Sequence, residues 1–522
     1  MPKFFSSALL ITLLFIVACQ PHASKIRADI DQRIENIENR FEAINIPENT
    51  IDIISFSGNK PDDDGTYDFQ KDIQAAIDSL NQLGGGTLIF PHSKSPDTWA
   101  KRQDVYRIKG SLQLCSNLEM VINPSVKLFF EFDPVSYLVD GKPVLTRYEG
   151  NSLYTYSPLI RGFRVENVII RRGEGRGGVP TIEGDGFKWQ KWCIEGEAGL
   201  KSAGITPAYV KIREDNNNDV PIIDRWYGNP ERDFYRPCMI EFYMSKNIEM
   251  DGVKLEDAPL WVVHGVFSEN LRFKNLFYDA LSINNDGIDP ESCHNVIIEN
   301  VIFNNYDDNI AIKAGRDLEG RKGALVAGTE IENVTSPFIK DGRLGGDSKD
   351  IVVRNCVFKG YHAVSIGSEM SGDVRNVYIV DNIAPQEIKS GIFIKSSRSR
   401  GGIVENIYAS NLKINTAKHG LITVIPNYNN DTTSNFPPKI RNLYFEDITC
   451  KKANNGIRLL GWYDSQLENV HVNNVSVNNV AEKSLMVLQA SAVKVDGFKA
   501  NGKDLSGDYE HEDPNIIPPV QK

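Results

Sequence analysis

Two acidic phrases stand out as candidates for chemistry: Asn284-Asn285-Asp286-Gly287-Ile288-Asp289-Pro290-Glu291 and, shortly after, Tyr306-Asp307-Asp308-Asn309-Ile310-Ala311-Ile312-Lys313-Ala314-Gly315-Arg316-Asp317. A single aspartate of this kind is ordinarily a solvated turn residue. Three of them on one face, followed by Lys313 and Arg316, are different. Carboxylates that repel one another cannot all ionise, so one keeps a proton while another stays charged. Hydrolysis of a glycosidic bond requires that division into acid and base. The adjacent pair needs a further device. In a regular strand Asp307 and Asp308 point to opposite faces, so both reach one cleft only at a turn or bulge. Asn304, Asn305 and Asn309 flank the pair and tolerate turns.

A repeat supplies the means of bringing these phrases together. A turn Asn followed by an alternating strand recurs in Lys246-Asn247-Ile248-Glu249-Met250, Glu269-Asn270-Leu271-Arg272-Phe273, His294-Asn295-Val296-Ile297-Ile298, Arg375-Asn376-Val377-Tyr378-Ile379, Glu405-Asn406-Ile407, Arg441-Asn442-Leu443-Tyr444-Phe445 and Glu468-Asn469-Val470-His471-Val472. The commonest interval is roughly 23 to 30 residues, the length of one coil of three short strands in a parallel β-helix. Coils stack about 4.8 Å apart, so Asp286 and the Asp307-Asp308 pair share a face when their strands are in register. The L-x-x-L-x-L pattern of leucine-rich repeats is missing. The expected fold is therefore all-β, a right-handed parallel β-helix over residues 51–503 with a C-terminal tail over 504–522. A helix over Asp68 to Leu83, stopped by Gly84-Gly85-Gly86 and followed by the strand-like Thr87-Leu88-Ile89-Phe90-Pro91, is placed to cap the first coil.

The 522 residues carry 69 acidic and 58 basic side chains, a net charge of -11, with no Lys/Arg-rich run. That balance argues against a nucleic-acid partner, which would need a clustered basic excess. Lys3, the apolar run Ala8 to Val17 and Ile16-Val17-Ala18-Cys19 resemble a bacterial lipoprotein signal over residues 1–18. That resemblance implies lipidation of Cys19 and a membrane contact through this anchor alone. Ile26, Ile30, Ile34, Ile37, Phe41 and Ile44 then mark one face of a helix, either a spacer or a docking helix, within an anchored segment over 19–50. The remaining cysteines, Cys115, Cys193, Cys238, Cys293, Cys356 and Cys450, lack metal-ligand spacing and read as small buried hydrophobes, so no metal or other cofactor is expected.

Beyond these features the chain resembles glycoside hydrolase family 28, the polygalacturonases, and in particular its bacterial exo-acting branch. The likeness runs from about Ile54 to Val495. It is carried by Phe56-Ser57-Gly58, Asp64-Gly65, Gly84-Gly85-Gly86-Thr87, Thr146-Arg147-Tyr148-Glu149-Gly150, Ser157-Pro158-Leu159-Ile160, Thr181-Ile182-Glu183-Gly184, Arg236-Pro237, Pro259-Leu260-Trp261-Val262-Val263-His264 and Ser365-Ile366-Gly367-Ser368-Glu369-Met370-Ser371-Gly372. The family's Asn-Thr-Asp motif becomes Asn284-Asn285-Asp286 and its paired aspartates are Asp307-Asp308. The resemblance implies Asp307 as general acid and Asp286 with Asp308 as base. Its Gly-His-Gly motif falls either on Tyr361-His362-Ala363, which keeps the histidine in its role, or on Gly360-Tyr361-His362, which does not. Its Arg-Ile-Lys motif is Phe393-Ile394-Lys395, leaving Lys395 to meet a uronate carboxylate, with Arg398 or Arg400 to compensate for the missing arginine. His264, Lys313 and Arg316 complete the expected substrate-binding set.

The implied activity is inverting hydrolysis of α-linked galacturonate from pectic polysaccharide or oligosaccharide, exo-acting, by a monomer. A rhamnogalacturonan or side-chain galacturonosyl hydrolase is the alternative suggested by the altered motifs. A β-helical lyase and a non-catalytic binding solenoid are the readings from other classes. The Gly-rich stretch from Leu318 to Lys349 is expected to fold over the groove and close one end.

Overall fold

The computed structural model describes residues 25–62, 64–93, 103–202 and 207–511, so the leader and Cys19 lie outside the described residues. Its largest sheet has 26 strands, nearly all paired parallel. The alternation read from the sequence becomes stacked rows: Ile248, Leu271, Val296, Ile351, Val377, Ile407, Leu443, Val470 and Val493 sit in register on successive coils, all buried. One continuous apolar core runs the length of the solenoid.

The recurring Asn has a physical cause. Asn247, Asn270, Asn295, Asn376, Asn406, Asn442 and Asn469 all adopt left-handed backbone, with φ between 54° and 59°. Asn is among the few residues that tolerate this region. Their side chains also form a ladder. The amide of Asn270 donates to Asn247 at 2.9 Å, Asn295 to Asn270 at 3.1 Å, Asn442 to Asn406 at 3.1 Å and Asn469 to Asn442 at 2.8 Å. Asp350 takes the same place on one coil, at φ 58°, and accepts from Asn376.

The capping helix spans Gln70–Gln82 and buries Ile73, Ala76, Ile77 and Leu80 over the first coils. Asp68 stays outside it, accepting from the backbone of Gln70 and Lys109. Gly86 follows at φ 151°, where a Cβ would stand 2.4 Å from the Asn49 carbonyl oxygen, so only glycine passes. At the other end, Lys503–Asp504 and Gly507–His511 pair antiparallel with the last parallel strands. The sheet thus continues past residue 503 to His511, covering an edge that would otherwise expose unpaired backbone groups, while residues 512–522 of the expected tail lie outside the described residues.

The N-terminal helix spans Lys25–Glu38, shorter than the apolar spacing predicts, and Phe41 packs from beyond its end. It docks. Ile30, Ile34 and Ile37 bury against Ile297, Val352, Tyr378, Val380 and Tyr408 on the solenoid flank. Arg40 bonds to Asp350 at 2.7 Å, and Arg27 to Asp381 at 2.8 Å. The six described cysteines are free and buried.

Candidate active site

Strands Val263–Val266, Ile288–Glu291, Ile310–Ile312, His362–Ile366 and Val374–Lys395 stack so that Val263, Ile288, Ile310, Val364 and Ile392 lie over one another. Asp286 stands two residues before the second of these strands, and Asp307-Asp308 lie at a bend before the third. The Gly287 amide donates to the Asp308 carbonyl at 2.9 Å, which joins the two acidic phrases across adjacent coils. The Asp308 amide donates to Asp307 Oδ1 at 2.9 Å and fixes the bend that turns both carboxylates toward one side. The flanking asparagines are pins: Asn285 donates to the carbonyls of Ala258 and Leu260, Asn305 to that of Asn285, and Asn309 to that of His362.

The environments of the three carboxyls differ. Asp307 is half-buried and lines a cleft of about 710 Å³. Burial and the neighbouring charge of Asp308 push its pKa up to about 6. Burial also opposes ionisation of Asp308, but the groups around it, Lys395 first with its Nζ 2.8 Å away and Lys313 among the others, together outweigh it and hold this carboxyl below the ordinary range. Asp286 is raised by burial and by the charges of Asp289, Asp307 and Asp308, against the opposing pull of Lys313 at 3.2 Å. At mildly acidic pH one group therefore holds a proton while its neighbour is charged. The pH profile of kcat/KM follows. Activity should fall as pH rises through about 6, where Asp307 loses its proton. It should fall again at low pH as the depressed Asp308 gains one. A profile flat above neutrality would contradict the acid assignment.

Of the expected substrate-binding residues, His362 and Lys395 line the cleft beside Asp307. His362 lies on the strand that pairs with Val374–Lys395, opposite Ser390, and lines the cleft. Burial lowers its pKa to about 3, leaving a neutral imidazole packed on Tyr361 and Phe393. Lys395 is bound to Asp308, so its first role is to keep that carboxylate charged. Lys395→Ala should therefore lower kcat and move the acid limb of the profile upward, in addition to raising KM. A change in KM alone would leave Lys395 as a pure substrate contact.

The other four are engaged elsewhere. Lys313, 3% exposed, is enclosed by Asp286, Asp289 at 3.6 Å and Glu369 at 3.5 Å, so it positions carboxylates and does not face a sugar. Arg316 is buried between Glu149 and Glu369. Arg398 is bound to Asp464 and lies over the Tyr463 ring, while Arg400 is bound to Asp317, so neither stands in for the missing arginine. His264 is fully buried, with Nε2 3.0 Å from Glu291 and Nδ1 3.5 Å from the Cys238 sulfur. Burial disfavours a charged ring there, yet Cys238, Glu241 and Glu291 together push its pKa well above the usual value. It is a structural cation beneath the site.

The segment from Leu318 to Lys349 also departs from expectation. Ala324, Val326, Ile331, Phe338 and Leu344 build a small core with Leu145, Tyr154, Ile222 and Phe267, and none of the residues lining the cleft beside Asp307 comes from it. Its apolar residues, not its glycines, decide its placement. Two helices that periodicity did not reveal, Gly186–Ser202 and Ala208–Asn217, approach the site instead. Gln190 accepts from the Ile283 amide at 3.1 Å, and Asn216 donates to the Arg316 carbonyl at 2.9 Å. The Tyr148–Asn151 hairpin turn lies alongside, with Glu149 bonded to both Arg213 and Arg316.

A parallel β-helix with three clustered aspartates, one of them lining a cleft, is an architecture suited to glycoside hydrolysis. Residues 228–495 match the glycosyl hydrolases family 28, and the chain belongs to that family. It is 25% identical over 433 residues to a Vitis vinifera protein named "Probable polygalacturonase", covering 81% of this chain and 72% of that one. It is 30% identical over 220 residues to an endo-polygalacturonase of Pectobacterium carotovorum subsp. carotovorum, covering 41% of this chain and 46% of the relative. Among solved structures, a hyperthermoactive exopolygalacturonase from Thermotoga maritima superposes with a TM-score of 0.74 at 26% identity, covering 92% of this chain and 99% of that one.

Proposed function

We propose that the protein hydrolyses α-linked galacturonate from pectic polysaccharide or oligosaccharides, acting from a chain end and inverting the anomeric carbon. Asp307 donates its proton to the leaving glycosidic oxygen. Asp308, kept ionised chiefly by Lys395, takes a proton from the attacking water, which Asp286 on the coil before helps to hold in place, and the water oxygen bonds to the anomeric carbon as the old bond breaks. The observation that carries this reading is the split in protonation between adjacent carboxyls in a cleft that also presents Lys389, Lys395 and Lys418 to an anionic substrate.

Exo action is supported by helices Gly186–Ser202 and Ala208–Asn217 and the 144–155 hairpin, which pack beside the coils preceding Asp286, and by the exopolygalacturonase resemblance. We also infer a lipoprotein leader over 1–18 with lipid on Cys19, an anchored segment over 19–50, and a mature monomer held outside a membrane. Incubation with galacturonan, rhamnogalacturonan and side-chain galacturonosyl oligosaccharides tests the substrate class. Saturated galacturonate from the first is expected. Release from rhamnogalacturonan alone would favour the altered-substrate reading suggested by Phe393, and products absorbing in the ultraviolet would indicate a lyase.

A further inference from the structure

Phe393 stands where the Arg-Ile-Lys motif of the family the chain resembles carries arginine, and the arginines that follow it in sequence, Arg398 and Arg400, are bound elsewhere. The positive charge reappears on the adjoining side of the cleft. The Lys389 amide donates to the Tyr361 carbonyl at 2.8 Å, which sets Lys389 on the coil directly after Tyr361. Its ammonium bonds to the Tyr361 hydroxyl and lies 4.0 Å over that ring. Ile388 pairs with Ala417, so Lys418 follows one coil further on, where it meets Glu387 at 2.5 Å. Tyr361, Lys389 and Lys418 thus form a row leading away from Asp307 along the solenoid axis, and all line the same cleft. Phe393, packed on His362, forms an apolar wall beside them.

We propose that Lys389 and Lys418 form a uronate-binding subsite beyond the scissile bond, with Tyr361 as its platform, replacing one fixed arginine with two lysines on successive coils. The inference rests on the galacturonan reading and assigns the residues that distinguish acidic from neutral sugar units there. A lysine is a compact charge without the paired donors of arginine, so this subsite selects charge more than orientation. Glu387 is the local counter-charge, so the anion displaces it from Lys418 when it binds. Lys389 is half-buried and held by the ring, whereas Lys418 is exposed, so the larger share of selectivity falls to Lys389.

The test uses the full chain carrying Asp307→Asn, which leaves substrate intact, and titrates trigalacturonate and its methyl ester by calorimetry. Adding Lys389→Gln should weaken trigalacturonate binding about tenfold, the range of a charge-assisted hydrogen bond. Adding Lys418→Gln should weaken it by about threefold, in line with an exposed pair. The methyl ester should bind all forms alike, and Lys389→Arg should restore most of the loss. In the enzyme with Asp307 intact, KM should rise while kcat holds. Equal losses for acid and ester, or unchanged affinity for the acid, would overturn the subsite while leaving the galacturonan reading in place. Failure of the Asp307→Asn parent to bind either form, with no hydrolysis by the native chain, would overturn both.

Discussion

Asp307→Asn is expected to reduce kcat by at least about a hundredfold, the usual minimum worth of a positioned general acid. Affinity for oligogalacturonate should change little. The amide keeps the shape of the carboxyl and can still accept the Asp308 backbone amide at its remaining oxygen, a bond that is 2.9 Å in the native protein. It cannot give up a proton to the leaving oxygen. The amide is neutral, as Asp307 is while it holds its proton, so the charge state of Asp308 is not weakened by the change. Single-turnover rates beside binding titrations separate the two effects. Retention of more than about a tenth of the native rate would remove Asp307 from the acid role.

Lys313→Met should have the other large effect, through stability and through the base together. Lys313 is 3% exposed, and its ammonium lies 4.2 Å over the Trp261 ring while facing Asp286, Asp289 and Glu369. Methionine fills the space but leaves buried carboxylates without their cation. Breaking a buried pair in this way costs about 3 to 5 kcal/mol. The carboxylates that remain must take up protons to relieve it, so the pKa of Asp308, which Lys313 also helps to hold down, moves upward with that of Asp286. The acid limb of the rate profile should therefore shift to higher pH, and thermal unfolding should occur at lower temperature. A variant that melts earlier with an unchanged acid limb would make Lys313 a structural residue only. One that keeps its melting temperature would contradict the buried ion cluster.

The difference between what was readable in the sequence and what was not follows the range of the forces involved. The β-helix was legible because its causes are local and repeated. Each turn demands a residue that accepts left-handed backbone, and each strand alternates. Asp350 escaped notice because it does the work of Asn with a different letter. The aspartate cluster was legible because coil spacing brings successive turns together. The destinations of Lys313, Arg316, Arg398 and His264 were not, because partners such as Glu369, Glu149, Asp464 and Glu291 come from other coils and insertions. A basic residue near an acidic motif looks like a substrate contact until its burial is known. The Gly186–Ser202 helix was obscured for a similar reason. Gly196 sits where the Phe234 ring leaves no room for a Cβ, so a glycine that suggests a loop is in fact a packing requirement.

Early products from long galacturonan provide the most direct measurement. Aliquots taken during the first few per cent of hydrolysis, sized by anion-exchange chromatography, should contain galacturonic acid monomer as the main product, while viscosity falls slowly relative to the gain in reducing ends. The helices Gly186–Ser202 and Ala208–Asn217 and the 144–155 hairpin, packed beside the coils before Asp286, lead us to expect this result. Early release of mixed oligomers, with a steep fall in viscosity, would mean that the groove is open at both ends and would contradict the account.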